Sequence, residues 1–360
     1  MSTTYVWMRK RLRWQFVIEV DGSKKSGSGT ILRLSVALSA VSEQPLHIYN
    51  IRQNRPQPGL KPQHLEAVLT AARLCDAEVT GAVLNSRELW FNPRTVKGGT
   101  VEAEIGTAGS IPMLLMTVLP ICLYAEKTVR LHVSRGGTDV LHSPTINYIR
   151  YVLVPVFRRI GLTATLTVGK YGYYPKGMGE VTLNVEPCKS LKPLRLDDFG
   201  EISSIKGVSV CTFLSDRHVA ERQAKAANNY LNERGQEASI QIVNDTSNPI
   251  QKGSSLVLWA ETSSNVLLGA DAIGELGKTS EAVGREAAEK LCTEIAAKPT
   301  VDVHLADMLI PYVTLAQGKS AYLTRILTEH LQTNIWLVEE ILKVKFNVEK
   351  FGGLYKIEKV

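Results

Sequence analysis

The sequence predicts an α/β (α+β) fold of three βαβαββ repeats, with a small α+β domain inserted in the third. Three observations predict it. In FVIEVDGSKKSGSGTILRLSVALSA a strand, a Gly-rich turn and an apolar helix follow one another, and QHLEAVLTAARLCDAEVTG adds a second helix leading into strands near 77–84 and 87–92. The order returns in GGTVEAEIGTAGSIPMLLMTVLPICLYAEKTVRLHVS and SPTINYIRYVLVPVFRRIGLTATLTV, with 34 positions from Gly29 to Gln63 and again from Gly109 to Ser143. A third copy closes the chain: VDVHLADMLIPYVTLA, the strand SAYLT, the helix HLQTNIWLVEEILK and strands near 344–349 and 354–359. Self-similarity at a fixed period marks a repeated supersecondary unit.

One stretch does not fit the period. It opens with the loop-like KSLKPLRLDDFGE, contains the polar helix RHVAERQAKAANNYLNE and several strands, and is followed by a helix at SEAVGREAAEKLCTEIAAK. The expected organisation is a three-repeat catalytic domain at 1–188 and 278–360 and an inserted domain at 189–277. The chain has 360 residues, 44% of them apolar and 21% charged, which supports a large core and excludes a low-complexity chain. Its net charge of +7 permits a polyanionic partner without requiring one. Five cysteines without a CxxC pair support neither a disulfide framework nor a zinc ribbon, so a reducing, cytoplasmic location is expected. The N-terminal MSTTYVWMRKRLRW is read as an exposed basic arm, since Glu19 and Asp21 interrupt the apolar stretch beyond it. Ile105 to Ala125 is free of charge, but its Pro and Gly residues argue for a buried helix rather than a membrane span.

The turn from Gly22 to Thr30 joins a strand to a helix, where backbone N–H groups favour a phosphate; a tight turn without a ligand fits equally. Ala272 to Thr279 has a relaxed Walker A spacing. No apolar strand ending in a suitable metal-holding acid accompanies it, so it reads as a β-to-α turn with an exposed Lys278. IRQNRPQPGLKPQHLEAV gathers Arg52, Arg55, Lys61 and His64, either a polyphosphate clamp or a solvated basic loop. Among the seven histidines, His64 and His330 both begin the second helix of a repeat, so packing of the repeats would bring them to comparable places around one cleft.

Six ordered blocks carry a resemblance: DGS with a Gly-rich turn and ILR (21–33), NIR-x-x-RPxPGLxxQHLxAV (50–68), IGTAGS with TVLP (105–120), GGTD (136–139), HLADxLIPY (304–312) and HLQTNI (330–335). Together they resemble the RNA 3′-terminal phosphate cyclases over nearly the whole chain. The resemblance implies three βαβαββ repeats akin to the enolpyruvate transferases. It implies ATP-dependent conversion of an RNA 3′-terminal phosphate to a 2′,3′-cyclic phosphate, through a covalent histidine–AMP and then an RNA-adenylate. By the HLQTNI block the nucleophile falls on His330. Arg33, Arg52, Arg55 and His64 match phosphate contacts, and Pro144, His304 and Asp307 match the nucleotide pocket. The implied partners are ATP, a divalent metal (Mg or Mn) and RNA with a 3′-terminal phosphate, with no membrane.

Three positions depart from the family pattern. The turn usually reads GEGGGQ; here Lys25-Ser26-Gly27-Ser28-Gly29-Thr30 puts Ser26 where a metal-binding carboxylate stands. Met116 and Met308 replace glutamines that touch ATP. Lys24 and Lys25 are candidates for compensating contacts to the triphosphate. The departures keep open an alternative, a catalytically weakened or inactive homologue acting in RNA binding or ribosome assembly. Arg217, Arg222 and Lys225 on the insert's polar helix either help hold RNA or form a solvated face.

Overall fold

Alternating burial makes β1 (Ile18–Asp21) and β2 (Leu46–Tyr49) one-sided strands, and the apolar helix between them, α1 (Gly29–Ser42), is covered along most of its length. The structure, a computed structural model, describes residues 17–360; the basic arm expected at Arg9 to Arg13 lies outside the described residues. After α1 come α2 (Pro62–Cys75), β3 (Glu78–Thr80) and β4 (Leu89–Asn92). They form a sheet in the order β1-β2-β4-β3, with β1 parallel to β2 and the remaining pairs antiparallel. The last two strands are shorter than the sequence suggests. Backbone groups at 85–87 turn aside to bond Ile51 and Leu60, which takes them out of the ladder.

The second unit runs β5 (Gly99–Glu104), α3 (Ile111–Cys122), β6 (Val129–Gly136), α4, β7 (Ala164–Lys170) and β8 (Gly179–Val185). Helix α4 comprises Ile146–Tyr148, a π-turn at Ile149–Leu153 and Val154–Arg159, the irregularity preceding Pro155, which has no N–H to give the ladder. Its sheet order is β5-β6-β8-β7, with the same alternation of parallel and antiparallel pairs. The uncharged stretch becomes the twelve-residue α3, with Ile111, Leu114, Leu115, Val118 and Leu119 fully buried. Among the described residues no helix is long and apolar enough to cross a membrane.

The third sheet has three strands, β13 (Ala321–Thr324), β14 (Phe346–Phe351) and β15 (Leu354–Lys359), with the last helix, Glu329–Leu342, before the hairpin. Their order is β13-β15-β14. The place of a fourth is taken by residues 194–196, expected as loop: Arg195 bridges Ala321 in parallel, with backbone bonds of 2.8 and 2.9 Å on either side. That is the relation β1 has to β2 and β5 to β6.

Between this segment and the third unit's helices lie β9 (Ile202–Thr212), α5 (Val219–Asn232), β10 (Ala238–Asp245), β11 (Gly253–Thr262), β12 (Leu267–Ile273) and α6 (Ser280–Ala297). Leu256, Leu258, Ala260 and Leu268 pack with Leu231, Val283, Ala287 and Leu291 of α5 and α6, whereas Val208, Val257, Trp259 and Leu267 join the main core. A strand buried on both faces reads as an unbroken apolar run, as β11 does. The expected boundary at 277/278 separates this sheet from the helix that covers it, and we propose that the inserted unit spans about 200–298 instead. Lys278 is not an exposed lysine. Its Nζ donates to the Ile273 carbonyl at 3.1 Å and pairs with Glu275 and Glu286, so it is committed to stapling the turn. Arg222 likewise pairs Glu281 through two bonds of 2.7 and 2.8 Å, tying α5 to α6.

Helix α7 (Val303–Leu315) begins at Asp302, a fully buried carboxylate. It accepts from the His304 and Leu305 N–H groups at 3.0 Å, from Gly269 N–H of β12 at 2.9 Å and from the Tyr148 hydroxyl of α4 at 2.7 and 2.8 Å. Asp302→Ala removes a helix cap and strands at least one buried donor. The expected loss is about 2–4 kcal/mol, read as a lower urea midpoint at unchanged slope.

Candidate active site

A cavity of about 670 Å³ opens where the helix N-termini of all three units meet. Ser28, Ser110, Thr145, Asp302 and Thr328 cap α1, α3, α4, α7 and α8 (Glu329–Leu342), each accepting a backbone N–H with its side chain. First-turn residues of α1, α2, α3, α7 and α8 line the cavity directly. Converging helix N-termini give a wall of positive partial charge, suited to a phosphate chain.

Arg33, Arg52, Arg55, His64, Met116, Pro144, His304, Asp307, Met308 and His330 all line this one cavity. Ser26 does not. It is buried in the turn, its hydroxyl 2.9 Å from that of Ser28 and its N–H donating to Thr333 Oγ1 at 3.3 Å. Lys24 and Lys25 also lie off the wall; Lys24 sits over the Trp336 ring, 5.9 Å from its centroid. Residues not proposed as site candidates from the sequence complete the wall, among them Gln63, Ser143, Asn334, Asp271 and Lys290. Gln63 and Asn334 sit inside the quoted blocks. Asp271 comes from β12 and Lys290 from α6, and nothing in their sequence context marks them.

The basic residues differ in how free they are. Arg52 donates through Nη1 to the carbonyls of Gln57 and Gly59, at 2.7 and 2.9 Å, and so shapes its own loop. Burial and the charge of Arg52 push Arg33 down to about 10, which leaves it cationic at neutral pH. His64 is buried against Gly29, where an added Cβ would collide with its Nε2. Its Nδ1 accepts from the Lys61 N–H at 3.4 Å, which leaves Nε2 to carry the proton. Burial, then Arg33, Arg52 and Lys61, push its pKa down to about 2, so it is a neutral donor.

His330 is reached by solvent, and its Nδ1 lies 3.3 Å from Thr30 Oγ1. Partial desolvation at the wall, followed by Arg33 and Arg55, lowers its pKa and favours the neutral ring. Asp307, pushed up to about 6 by burial, accepts from the Thr328 hydroxyl at 2.6 Å, and its backbone carbonyl accepts from Asn334 at 2.8 Å. Asp307 thereby fixes the helix that carries His330. Met116 and Met308, with Met113 and Pro311, give the wall an apolar shelf.

The residues do not fit a protein-held metal at Ser26, because that hydroxyl is occupied by Ser28. Among the described residues no three His, Cys, Asp or Glu side chains gather to hold an ion. Magnesium is commonly held by one or two carboxylates with the substrate's phosphates, and this turn offers no carboxylate.

The sheets, the shared helix ends and the cationic cavity define an α/β protein built to handle phosphate groups. Comparison narrows the class. The family description RNA 3′-terminal phosphate cyclase matches residues 24–348. A protein of that name from Pyrobaculum aerophilum is 43% identical over 343 residues, covering 95% of this chain and 97% of its own. One from Pyrobaculum neutrophilum is 45% identical with the same coverage, and one from Methanosarcina acetivorans is 41% identical over 366 residues, covering 95% and 99%. The chain belongs to the RNA 3′-terminal phosphate cyclase family, and the enzyme class expected from the sequence stands.

Gly29→Ala is expected to displace His64 and raise the dissociation constant for inorganic pyrophosphate about tenfold or more, the loss of one hydrogen bond to a charged group. Calorimetric titration checks it.

Proposed function

We propose that the protein converts an RNA 3′-terminal phosphate to a 2′,3′-cyclic phosphate at the expense of ATP, with His330 as the nucleophile that carries AMP. The observation supporting this reading is the neutral-leaning imidazole of His330 on a wall shared with Arg33, Arg52, Arg55 and the neutral donor His64. An unprotonated imidazole nitrogen attacks the α-phosphorus while pyrophosphate leaves with the electron pair of the broken P–O bond. The three guanidiniums and the helix ends neutralise charge on the phosphates. His304, Pro144 and the methionine shelf hold the base, and Asp307 Oδ2 accepts from a ribose hydroxyl. The RNA phosphate then takes AMP from His330. Its neighbouring 2′-hydroxyl closes the ring and expels AMP, a step favoured by proximity.

The absence of a carboxylate at Ser26 and the thioethers at 116 and 308 favour a second reading, an RNA-binding homologue with weak or no catalysis. Incubation with α-labelled ATP and Mg²⁺ or Mn²⁺ separates the two. Acid-labile label on the wild type, absent from His330→Ala, is expected. An unlabelled wild type with retained RNA binding would establish the second reading.

The pH profile of label incorporation should report the lowered pKa of His330. Protonation removes the nucleophile, and partial desolvation, followed by the neighbouring cations, opposes protonation, so activity should persist below the ordinary imidazole range and fall only at more acidic pH. Arg55→Ala removes one of those cations and should move the acidic limb upward, as initial labelling rates from pH 4.5 to 8 will show.

A further inference from the structure

We propose that Thr30 is a positioning residue for His330: its hydroxyl takes the Nδ1 proton and so leaves the Nε2 lone pair free to attack. The inference rests on the adenylylation reading above.

The contact joins residues 300 positions apart. Thr30 stands in the first turn of α1 and His330 in the first turn of α8, each just after its cap. The two ends are held together independently by the Ser26 N–H donating to Thr333 Oγ1 of α8. The spacing between hydroxyl and ring is therefore set by packing of the first unit on the last.

The chemistry needs such a group. A neutral imidazole has one protonated and one bare nitrogen, and only the bare one is a nucleophile. With Nδ1 facing Thr30, attack must come from Nε2, so Nδ1 must hold the proton and find an acceptor for it. The titratable groups acting on the ring are Arg33, Arg55, Glu329 and His304. The two guanidiniums are donors only. Thr30 Oγ1 accepts from Arg33 Nη2 at 3.3 Å, which uses one lone pair and leaves the second for Nδ1–H. The opposite arrangement, with the hydroxyl donating to Nδ1, would place the proton on Nε2 and silence the ring. The two differ by a rotation of the O–H bond together with a change of ring tautomer, in which solvent takes the proton from Nε2 and returns one to Nδ1. Phosphate oxygens entering the cavity draw the hydroxyl proton toward themselves and select the reactive form. In the step itself an N–P bond forms at Nε2, the P–O bond to pyrophosphate breaks, and the Nδ1 proton stays in place.

The test is single-turnover incorporation of α-labelled ATP, with ATP affinity measured by calorimetry, for wild type, Thr30→Val and Thr30→Ser. Valine keeps the shape and removes the hydroxyl; serine restores it. The expected result is incorporation slowed about 10–100-fold in Thr30→Val, the scale of a misplaced reacting group, with ATP affinity within about threefold and most of the rate recovered in Thr30→Ser. Incorporation by Thr30→Val at the wild-type rate would overturn the role of Thr30 and leave the cyclase reading intact. Equal losses of rate and ATP affinity in both variants would also overturn it, in favour of a purely structural threonine. An unlabelled wild type would instead overturn the adenylylation reading itself.

Discussion

Asp302 is where the molecule is pinned together. Full burial pushes its pKa up, and hydrogen bonds from Gly269, Leu305 and Tyr148 pull against that rise. Those donors come from the inserted sheet, from α7 and from α4, so one carboxylate sets the mutual placement of three elements that have no sequence proximity. Because it also caps α7, it aims His304 and Asp307 into the cavity. A buried acid with this many donors behaves as a register pin, and leaving any one of them without its acceptor costs more than a surface ion pair contributes.

The cavity is a second consequence of the same packing. Repeated units present equivalent helix N-termini to a common centre, and the resulting partial positive charge adds to Arg33, Arg52 and Arg55. Such concentrated positive charge repels itself in the absence of an anion; it becomes favourable when an anion fills the cavity. The two histidines divide the work by environment. His64 is sealed under Gly29 and reduced to a neutral donor, whereas His330 faces solvent and keeps a nitrogen available.

The departures from the family pattern have coherent structural consequences. Ser26 is absorbed into the hydrogen bonding of its own turn, so loss of a carboxylate leaves no stranded group. Met116 and Met308 extend an apolar shelf with Met113 and Pro311, a surface that offers dispersion contacts and no amide hydrogen bonds. Strand β12 and helix α6 also contribute: Asp271 and Lys290 reach the cavity wall, and Lys290 Nζ donates to the Asp271 carbonyl at 2.9 Å.

Periodicity along the chain was sufficient to predict the mixed α/β class, the position of most strands and helices, and the buried nature of α3, since these depend on local alternation and on turn residues. Recognisable blocks brought Arg33, Arg52, Arg55, His64 and His330 forward before any geometry was known. Tertiary structure alone decided the rest. Residues 194–196 look like loop because a single bridge to β13, far along the chain, defines them. The helix at 280–297 declares its allegiance only through the sheet it covers. Thr30 reads as one more polar residue of a glycine-rich turn until α8 lies against it, and Asp271 and Lys290 become part of the cavity only when the inserted unit folds back. Local propensity acts over a few residues and is written in the chain, whereas a hydrogen bond across 300 positions depends on where every intervening element has packed.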